Sequence, residues 1–444
     1  MNNARSAALS ALLHVDVSEG YSNIVLDKTL SVFFLEQRDK ALASAIFYGV
    51  LERRITLDHI ISQFSKIPPA KISPVVLEIL RMGIYQVLYL EKVPNSAAVN
   101  ESVNLAKENN SAKASGFVNA VMRSLLRNLD SIKLPDPKKE PLPYLSVKYS
   151  CPQWLIKLWQ ESYGENCTLG LLESSMNKPP VFARVNNTAV SEENLIERLN
   201  SENIKAKAID WLEDAVELEN TGAVSQSACY RDGLFHIQDL SSQLCCSLLN
   251  PIAGQSVIDV CSAPGGKAFT IAETMKNQGR LLAFDKYKGK VRLIQQGAQR
   301  LSLSIIQAAV RDAQSDPGDL EPADRVLCDV PCSGLGIIRR KPEIRYKLQS
   351  AIDSLPDLQY FILCKSSQLV KSGGILIYST CTLNPHENDE VAAKFIKNND
   401  GFEPYALRLP PNLTRAVDEP ENQLTLMPHV HGTDGFFVAA FKKR

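Results

Sequence analysis

Apolar residues recur at helical spacing over the first part of the chain, from Ala4 to about Asn128. Leu77, Leu80 and Ile84, for example, stand at positions i, i+3 and i+7, which places them on one face of a helix. The pattern predicts an all-helical domain over residues 1–130.

A proline-rich stretch follows at residues 131–148, which include Pro135, Pro137, Pro141 and Pro143. Proline lacks the backbone N–H and breaks the interior of a helix, so we expect a linker here. The linker would separate the helical domain from the next part of the chain.

Short strand and helix patterns alternate over residues 149–238. Val181–Val185 predicts a strand, Ser191 predicts the N-cap of a helix that reaches Leu199, and Ile204–Ile209 predicts a second strand. The mixture predicts a small α+β domain of RRM-like type. Modules of this type often bind RNA across the sheet, but the sequence shows no paired aromatic residues for stacking bases.

Strand and helix patterns alternate regularly over residues 239–444, which predicts a doubly wound α/β domain. The predicted strands are Ser256–Val260, Arg280–Phe284, Leu303–Ala309, Asp324–Leu327, Gly374–Tyr378 and an edge strand, Gly435–Phe441. The predicted helices are Lys267–Met275, Lys288–Leu301, Ala351–Val370 and Glu387–Ile396.

The composition is that of a globular protein, because 45% of the 444 residues are hydrophobic and 22% are charged. The formal net charge is zero, so any binding to nucleic acid must use local basic patches. The chain has no run of about 18 apolar residues and no signal-peptide pattern, and we expect a cytoplasmic protein that does not bind membranes. Ten cysteines without a CxxC pair predict reduced thiols and no metal site.

Two cysteines follow short apolar runs that read as buried parallel strands. Cys332 ends the stretch that begins at Cys328, and Cys381 follows Ser379 and Thr380. Ligands of a doubly wound sheet bind beyond the carboxyl ends of the strands, so neighbouring strands would direct both thiols into one cleft. The alternative is that both are core residues, since free cysteine is usually buried as a small hydrophobe.

A glycine-containing turn, Cys261–Lys267, joins the first predicted strand of this domain to a helix. It matches neither the Walker loop nor GxGxxG. Asp285, at the end of the second strand, is placed to bind ribose hydroxyls, and Asp312, after the third, to receive an adenine amino group. A glycine turn with a ribose-binding acid and no phosphate loop suits S-adenosylmethionine.

The motifs Ser262–Lys267, Asp285, Asp312, Asp329–Gly334 and Ser379–Thr382 stand in the order and spacing of the RNA (cytosine-5) methyltransferases, and the chain resembles that family over the whole α/β domain. The helical region, with Gly116–Val121 near its end, resembles the NusB fold.

The resemblance implies a Rossmann-like class I methyltransferase domain, preceded by a NusB-like domain and the small α+β domain. It implies methylation of C5 of a cytosine in 16S ribosomal RNA, at position 967. The co-substrate would be S-adenosylmethionine, with no metal, and the partner would be 16S ribosomal RNA. We expect a monomer.

The chemistry needs a thiolate, because cytosine C5 becomes nucleophilic only after a thiolate adds to C6. The residues alone leave open which cysteine attacks, since DNA enzymes use the cysteine of the Pro-Cys motif. The resemblance assigns attack to Cys381 and proton removal or product release to Cys332. Asp329 is predicted to bind the N3 and N4 edge of cytosine, and Lys267 to neutralise the oxygen on C2. The predicted cofactor-binding residues are Cys261, Ser262, Ala263, Pro264, Gly265, Gly266, Lys267, Asp285, Asp312 and Asp329.

Two other functions are weighed against this prediction. A non-catalytic RNA-binding or antitermination scaffold is disfavoured, since a binding module gains nothing from two thiols at strand ends. An amino-methyltransferase carries Asp/Asn-Pro-Pro-Tyr at the same strand end, whereas this chain has Cys332 in place of the aromatic residue.

The segment Ile338–Lys347 carries five lysine and arginine residues close to Cys332 in the sequence. We expect these cations to contact RNA phosphates and Tyr346 to stack on a base. His386 could assist ionisation of a thiol, although a surface histidine at a helix start is the simpler interpretation.

Overall fold

The computed structural model describes residues 3–15, 22–109 and 112–444. The chain forms two compact units. The first contains residues 1–177 together with Ile338–Lys347, and the second contains residues 178–337 and 348–444. Among the described residues, no helix is both long enough and apolar enough to cross a membrane.

The first unit is helical, as predicted, and the apolar faces of its helices form one core that includes Leu12, Phe47, Ile79 and Leu125. The helices are α1 (Ala4–Val15), α2 (Ser22–Val32), α3 (Gln37–Glu52), α4 (Arg54–Phe64), α5 (Pro74–Tyr89), α6 (Asn95–Glu108), α7 (Ser115–Arg127), α8 (Pro141–Tyr149) and α9 (Gln153–Ser174). A kink at Gly164, whose φ is +78°, divides α9 into two parts.

The expectation that prolines exclude helix from residues 131–148 is wrong for its second half, where α8 begins at Pro141. The first residues of a helix make no intrahelical hydrogen bond through their N–H groups, so proline fits there. Residues 132–140 contain neither helix nor strand. The helix α9 groups with the first unit, although the predicted small domain begins at residue 149, so the domain boundaries stay a prediction.

The second unit begins with a small antiparallel sheet of strand order β2-β3-β1-β4. Its strand Val181–Val185 is the predicted one, and the side chain of Ser191 caps the following helix by accepting from the N–H of Asn194. The α+β prediction is therefore confirmed. Its elements are β1 (Val181–Val185), α10 (Glu192–Ser201), β2 (Lys205–Ala208), β3 (Ala215–Glu219), α11 (Ala228–Arg231) and β4 (Phe235–Ile237).

The rest of the second unit is built on an eight-stranded sheet. Its helices are α12 (Leu240–Leu249), α13 (Gly266–Thr274), α14 (Lys288–Arg300), α15 (Leu355–Ser367), α16 (Asp389–Asn398) and α17 (Pro428–His431). Its strands are β5 (Ser256–Asp259), β6 (Arg280–Asp285), β7 (Ile306–Val310), β8 (Ala323–Asp329), β9 (Val370–Thr380), β10 (Phe402–Pro404), β11 (Gln423–Leu426) and β12 (Phe436–Lys443).

The sheet separates two apolar cores. One core joins α12, α13 and α14 to residues such as Leu327 and Ile377, and the other joins α15 and α16 to their neighbours Val326 and Leu376. Because successive side chains of a strand point to opposite faces, helices cover both sides of the sheet, as the doubly wound prediction requires.

The strand order is β10-β12-β9-β8-β5-β6-β7, with β11 paired to β12. The strands from β7 to β9 are parallel, and the order reverses between β5 and β8. The predicted edge position of the final strand is wrong, because β12 lies between β9 and β10. Phe436 and Phe437 are consecutive and both buried, which is typical of a strand covered on both faces.

Candidate active site

Most of the predicted site residues lie at the carboxyl ends of the parallel strands. The loop after β5 carries the glycine turn, β6 ends at Asp285, and β8 ends at Asp329. Since the strand order reverses between β5 and β8, a crevice is expected at this point of the sheet. The prediction that the cysteine strands are parallel neighbours is confirmed by β8 and β9.

The glycine turn is closed by hydrogen bonds of its own backbone. The N–H of Ser262 donates to the carbonyl of Phe284 at 2.7 Å, and the N–H of Gly265 donates to the carbonyl of Ser262 at 2.8 Å. Gly265 has φ +114°, and a Cβ there would lie 2.4 Å from the ring of Phe269. Only glycine fits, and the backbone N–H groups at the start of α13 are left available to a polar ligand.

The two predicted acids are held differently at the ends of their strands. Asp285 is buried, and its Oδ1 accepts from the N–H of Tyr287 at 3.0 Å. Asp312 follows the end of β7, and its carboxylate accepts from the N–H of Gln314 and lies 3.0 Å from the Nζ of Lys286. These hydrogen bonds lower the pKa of Asp312, so this carboxyl group is ionised at neutral pH.

Lys267, Asp329 and Ser379 form one hydrogen-bonded group. The Nζ of Lys267 donates to Oδ2 of Asp329 at 2.8 Å, and the hydroxyl of Ser379 donates to Oδ1 at 2.8 Å. Ser379 was not predicted as a site residue, although it stands opposite Asp329 in the β8–β9 register.

The ion pair determines the charge of Lys267. Burial acts to lower the pKa of Lys267, but the carboxylate of Asp329 outweighs it, and the pKa is raised. The lysine is therefore a permanent cation, and its side chain is only 14% exposed. Lys267 is therefore not a solvent-exposed lysine at the start of a helix.

The structure brings the two thiols together. The Sγ atoms of Cys332 and Cys381 lie 3.4 Å apart, and both residues are partly exposed. The hydrogen bond with Cys381 and then burial raise the pKa of Cys332 well above its ordinary value, and the carboxylate of Glu387 adds to the effect. Cys332 therefore holds its proton at neutral pH.

Three buried polar residues near these motifs were not predicted. Glu387 and Asn388 follow the Cys381 loop, and Asp259 ends β5. Burial and then the charge of Asp329 raise the pKa of Asp259 to about 7. An acidic residue directly before the glycine turn was the available signal for Asp259, whereas nothing local to the sequence marks Glu387 as buried.

The predicted RNA contacts of Arg345 and Tyr346 are not what the structure shows. Arg345 is 0% exposed, and its guanidinium donates to backbone carbonyls that include those of Tyr149 and Ser175 at 3.2 and 3.3 Å. The hydroxyl of Tyr346 donates to the carbonyl of Leu51 at 2.7 Å. Both side chains are structural members of the first unit: the Arg345 cation is held by carbonyls at helix ends, and the Tyr346 hydroxyl donates to one more carbonyl.

His386 is a surface residue, as the simpler interpretation held. Its Nδ1 lies 2.8 Å from Oε1 of Glu390, and both side chains are 59% exposed. The pair is an exposed contact at the start of α16.

Comparison with known protein families gives three matches along the chain. A model described as 16S rRNA methyltransferase RsmB/F matches residues 246–442. The NusB family model matches residues 2–127, and a model of the ferredoxin-like domain of RsmF/B-like methyltransferases matches residues 151–225. The predicted order of a NusB-like domain, a small α+β domain and a Rossmann-like methyltransferase domain is confirmed.

Similar proteins match over almost the full length. The probable ribosomal RNA small subunit methyltransferase B of Bacillus subtilis is 37% identical, over 99% of this chain and 98% of its own. Ribosomal RNA small subunit methyltransferase B of Vibrio cholerae is 30% identical, over 100% and 98%. The crystal structure of the protein PH0851 superposes with a TM-score of 0.84 at 25% identity, covering 100% of this chain and 99% of that one.

Proposed function

The chain belongs to the family of ribosomal RNA small subunit methyltransferases B, and from this premise we propose that it methylates C5 of a cytosine in 16S ribosomal RNA. The proposed target is position 967 of that RNA, as the resemblance to the family implies. The observation that carries the choice of cytosine C5 is the pair of thiols, 3.4 Å apart, at the carboxyl ends of adjacent parallel strands. Methylation of an amino group would not need a thiol at either position.

The chemistry of the β5 and β6 strand ends fits S-adenosylmethionine. The N–H groups at the start of α13 suit its carboxylate, and the turn Cys261–Gly266 keeps its shape because Gly265, with φ +114° and no Cβ, can pack against the ring of Phe269. Asp285 suits the ribose hydroxyls and Asp312 the adenine amino group. When bound, S-adenosylmethionine supplies the methyl group as an electrophile on sulfur.

Asp329 and Lys267 are proposed to hold the cytosine ring. Asp329 faces the N3 and N4 edge, where its carboxyl group accepts from the N4 amino group and shares a proton with N3, and the Lys267 cation balances the negative charge that develops toward the oxygen on C2. Both side chains are mostly buried, at 24% and 14% exposure, so their charges act with little screening by solvent. Ser379 keeps one oxygen of Asp329 oriented through its hydroxyl.

Cys381 is proposed as the nucleophile and Cys332 as the residue that assists later steps. A thiol that keeps its proton does not add to C6, and the raised pKa of Cys332 keeps that proton in place. The two Sγ atoms are 3.4 Å apart, so an S–H of Cys332 can donate to the sulfur of Cys381. The thiolate adds to C6, C5 takes the methyl group while the sulfonium leaves as a neutral thioether, and the aromatic ring is restored when the C5 proton passes to solvent water, with Cys332 assisting, and Cys381 departs as a thiolate.

The target base must leave its stack before C6 can reach Cys381. Reactions on a base inside a helix are sterically blocked, so an RNA loop or a locally opened helix is the expected substrate. The fully buried Arg345 does not serve this step, and the RNA contacts are left to exposed cations elsewhere in the chain.

The test is methyl transfer from labelled S-adenosylmethionine to unmodified 16S ribosomal RNA by wild type, Cys332→Ala and Cys381→Ala. Cys381→Ala is expected to lose at least about 10⁴-fold in turnover and to form no covalent RNA adduct, since removal of a nucleophile abolishes the covalent route. Cys332→Ala is expected to accumulate the adduct on denaturing gels.

The reverse pattern would exchange the roles of the two thiols, as in the DNA enzymes. A wild-type protein that transfers no methyl group to any RNA would favour the non-catalytic scaffold. Label found on N4 of the cytosine would favour the amino-methyltransferase.

A further inference from the structure

We infer that Glu387 and Asn388, two adjacent buried side chains, are positioning residues that together hold the Cys332 loop and the Cys381 loop at reacting distance. Neither residue would touch the cytosine or the methyl donor. Asn388 instead binds the residues on both sides of Cys381, and Glu387 binds Ser333 directly and Pro331 through Gln359. Only the expected effect on turnover rests on the proposed function.

Glu387 anchors the residue that follows Cys332. Its Oε2 accepts from the N–H of Ser333 at 2.8 Å, and its Oε1 accepts from the hydroxyl of the same serine at 2.5 Å. The Nε2 of Gln359, on α15, donates both to Oε2 of Glu387 at 2.8 Å and to the carbonyl of Pro331 at 3.0 Å. Both neighbours of Cys332 are thus tied to Glu387, one directly and one through Gln359.

Asn388 anchors both neighbours of Cys381. Its Oδ1 accepts from the hydroxyl of Thr380 at 2.6 Å, and its Nδ2 donates to the carbonyl of Thr382 at 3.0 Å. Thr382 also lies 2.7 Å from the hydroxyl of Ser333, oxygen to oxygen. The anchors of the two loops are therefore connected by a hydrogen bond between the loops themselves.

Glu387 and Asn388 are buried so deeply that their hydrogen bonds depend on partners within the protein. Glu387 is 0% exposed and Asn388 1% exposed, so a lost partner would not be replaced by water. Asn384 adds a further donor to Oε1 of Glu387 at 2.9 Å. All these donors point at a carboxylate, so the amide of glutamine, which carries hydrogens on one end, cannot accept them all.

The negative charge of Glu387 also acts on the chemistry. It is one of the groups that raise the pKa of Cys332, after the hydrogen bond to Cys381 and burial. Removal of this charge is expected to lower the pKa of Cys332 toward its ordinary value. A purely steric support would not affect this pKa.

The experiment compares Glu387→Gln and Asn388→Asp with wild type, and uses Glu390→Gln and Asn398→Asp, both exposed, as matched controls. The first readout is turnover. A misplacement of reacting groups by about 1 Å costs about 10²-fold, so kcat is expected to fall about 10²-fold in both variants while KM for S-adenosylmethionine is unchanged. The controls are expected to match wild type.

The second readout is independent of methyl transfer. Phenylarsine oxide bridges two close thiols by forming two S–As bonds, while both thiol protons leave with the arsenical oxygen as water. Mass spectrometry of digested wild type is expected to show one arsenic joining the Cys332 and Cys381 peptides, and bridging in the two variants is expected to be at least about tenfold slower, in line with the turnover loss.

Variants that bridge and turn over like wild type would overturn the inference. If wild type methylates no RNA but bridging is still lost in the variants, the positioning role stands and the proposed function fails. Should either variant not fold, as judged by circular dichroism, Ser333→Ala and Thr380→Val remove one hydrogen bond from each anchor and carry the same two readouts.

Discussion

Lys267 and Arg345 are both buried cations, but they lie in two regions that use charge in opposite ways. Lys267 stands at the strand ends of the second unit and pairs with one carboxylate, Asp329, at 2.8 Å. Arg345 belongs to the first unit, where its guanidinium is enclosed by backbone carbonyls at the ends of helices. The Lys267 cation can still interact with negative charge that develops in a substrate, whereas the Arg345 cation stabilises the fold through its hydrogen bonds to carbonyls.

The difference shows that a basic residue can lie close to a reactive motif in the sequence and still not belong to the candidate active site. Arg345 stands 13 residues from Cys332 in the chain, and Lys267 stands 65 residues away. What separates their roles is the environment of each side chain, because a guanidinium that is 0% exposed and held by backbone carbonyls cannot reach a phosphate or a base.

Among the variants that test this comparison, Lys267→Met, which keeps the length of the side chain and removes its charge, is expected to have the largest effect. Loss of one preorganised electrostatic contact to the reacting ring is expected to lower kcat/KM about 10²–10³-fold. Single-turnover methyl transfer measures the effect. Lys276→Met, at an exposed lysine beyond the end of α13, is the control. A near-normal rate for Lys267→Met would remove this residue from the proposed site.

Arg345→Met is expected to act on stability and not on RNA binding. Several buried carbonyls lose their donor, so the free energy of unfolding is expected to fall by about 3 kcal/mol in urea titrations. Lys347→Ala, at an exposed neighbour, is expected to change it by less than about 0.5 kcal/mol.

The salt dependence of RNA binding distinguishes a structural role of Arg345 from a role as a phosphate contact. If its role is structural, the slope of log affinity for RNA against log salt is unchanged in folded Arg345→Met. A slope reduced by about one, with normal stability, would restore Arg345 as a phosphate contact.

A final effect, confined to the pH dependence of stability, is expected from Asp259→Asn, which concerns a buried group that is anionic only at higher pH. The pKa of Asp259 is raised from its ordinary value of 3.8 to about 7, so between these values the folded protein holds a proton that the unfolded chain has lost. Stability contributed by this group therefore falls as pH rises through that window, by at most about 1.4 kcal/mol per pH unit, and is constant above it.

Unfolding by urea from pH 5 to pH 8 measures this linkage in the absence of ligand. Asp259→Asn, which stays neutral, is expected to gain stability relative to wild type as pH rises to about 7. Asp319→Asn, at an exposed carboxyl group, is expected to run parallel to wild type. Parallel curves for Asp259→Asn would mean that its pKa is close to ordinary.

Local patterns in the sequence predicted much of the fold. The strand Val181–Val185 was predicted to the residue, and the strands that carry Asp285 and Asp329 were predicted within a few residues of their observed ends. The N-cap at Ser191 was also correct. Such features depend on side-chain periodicity and on hydrogen bonds between near neighbours, and both can be read along the chain.

The same reasoning failed where a neighbour in space decided the outcome. The position of β12 inside the sheet depends on its pairing with both β9 and β10, and the start of α8 at Pro141 depends on which N–H groups a helix leaves unused. Neither fact is carried by the apolar pattern of the segment itself.

The sequence by itself determined the types of the reactive groups and their order: a glycine turn, two acids, Asp329 and two cysteines, each at the end of a predicted strand. Tertiary structure alone decided that the two sulfurs lie 3.4 Å apart and that Glu387 binds Ser333, 54 residues away. It also decided that Arg345 is enclosed by carbonyls up to 293 residues distant. Residue type is a local property, whereas burial and partners arise only when distant segments pack together, because packing removes water and leaves each polar group to the neighbours that remain.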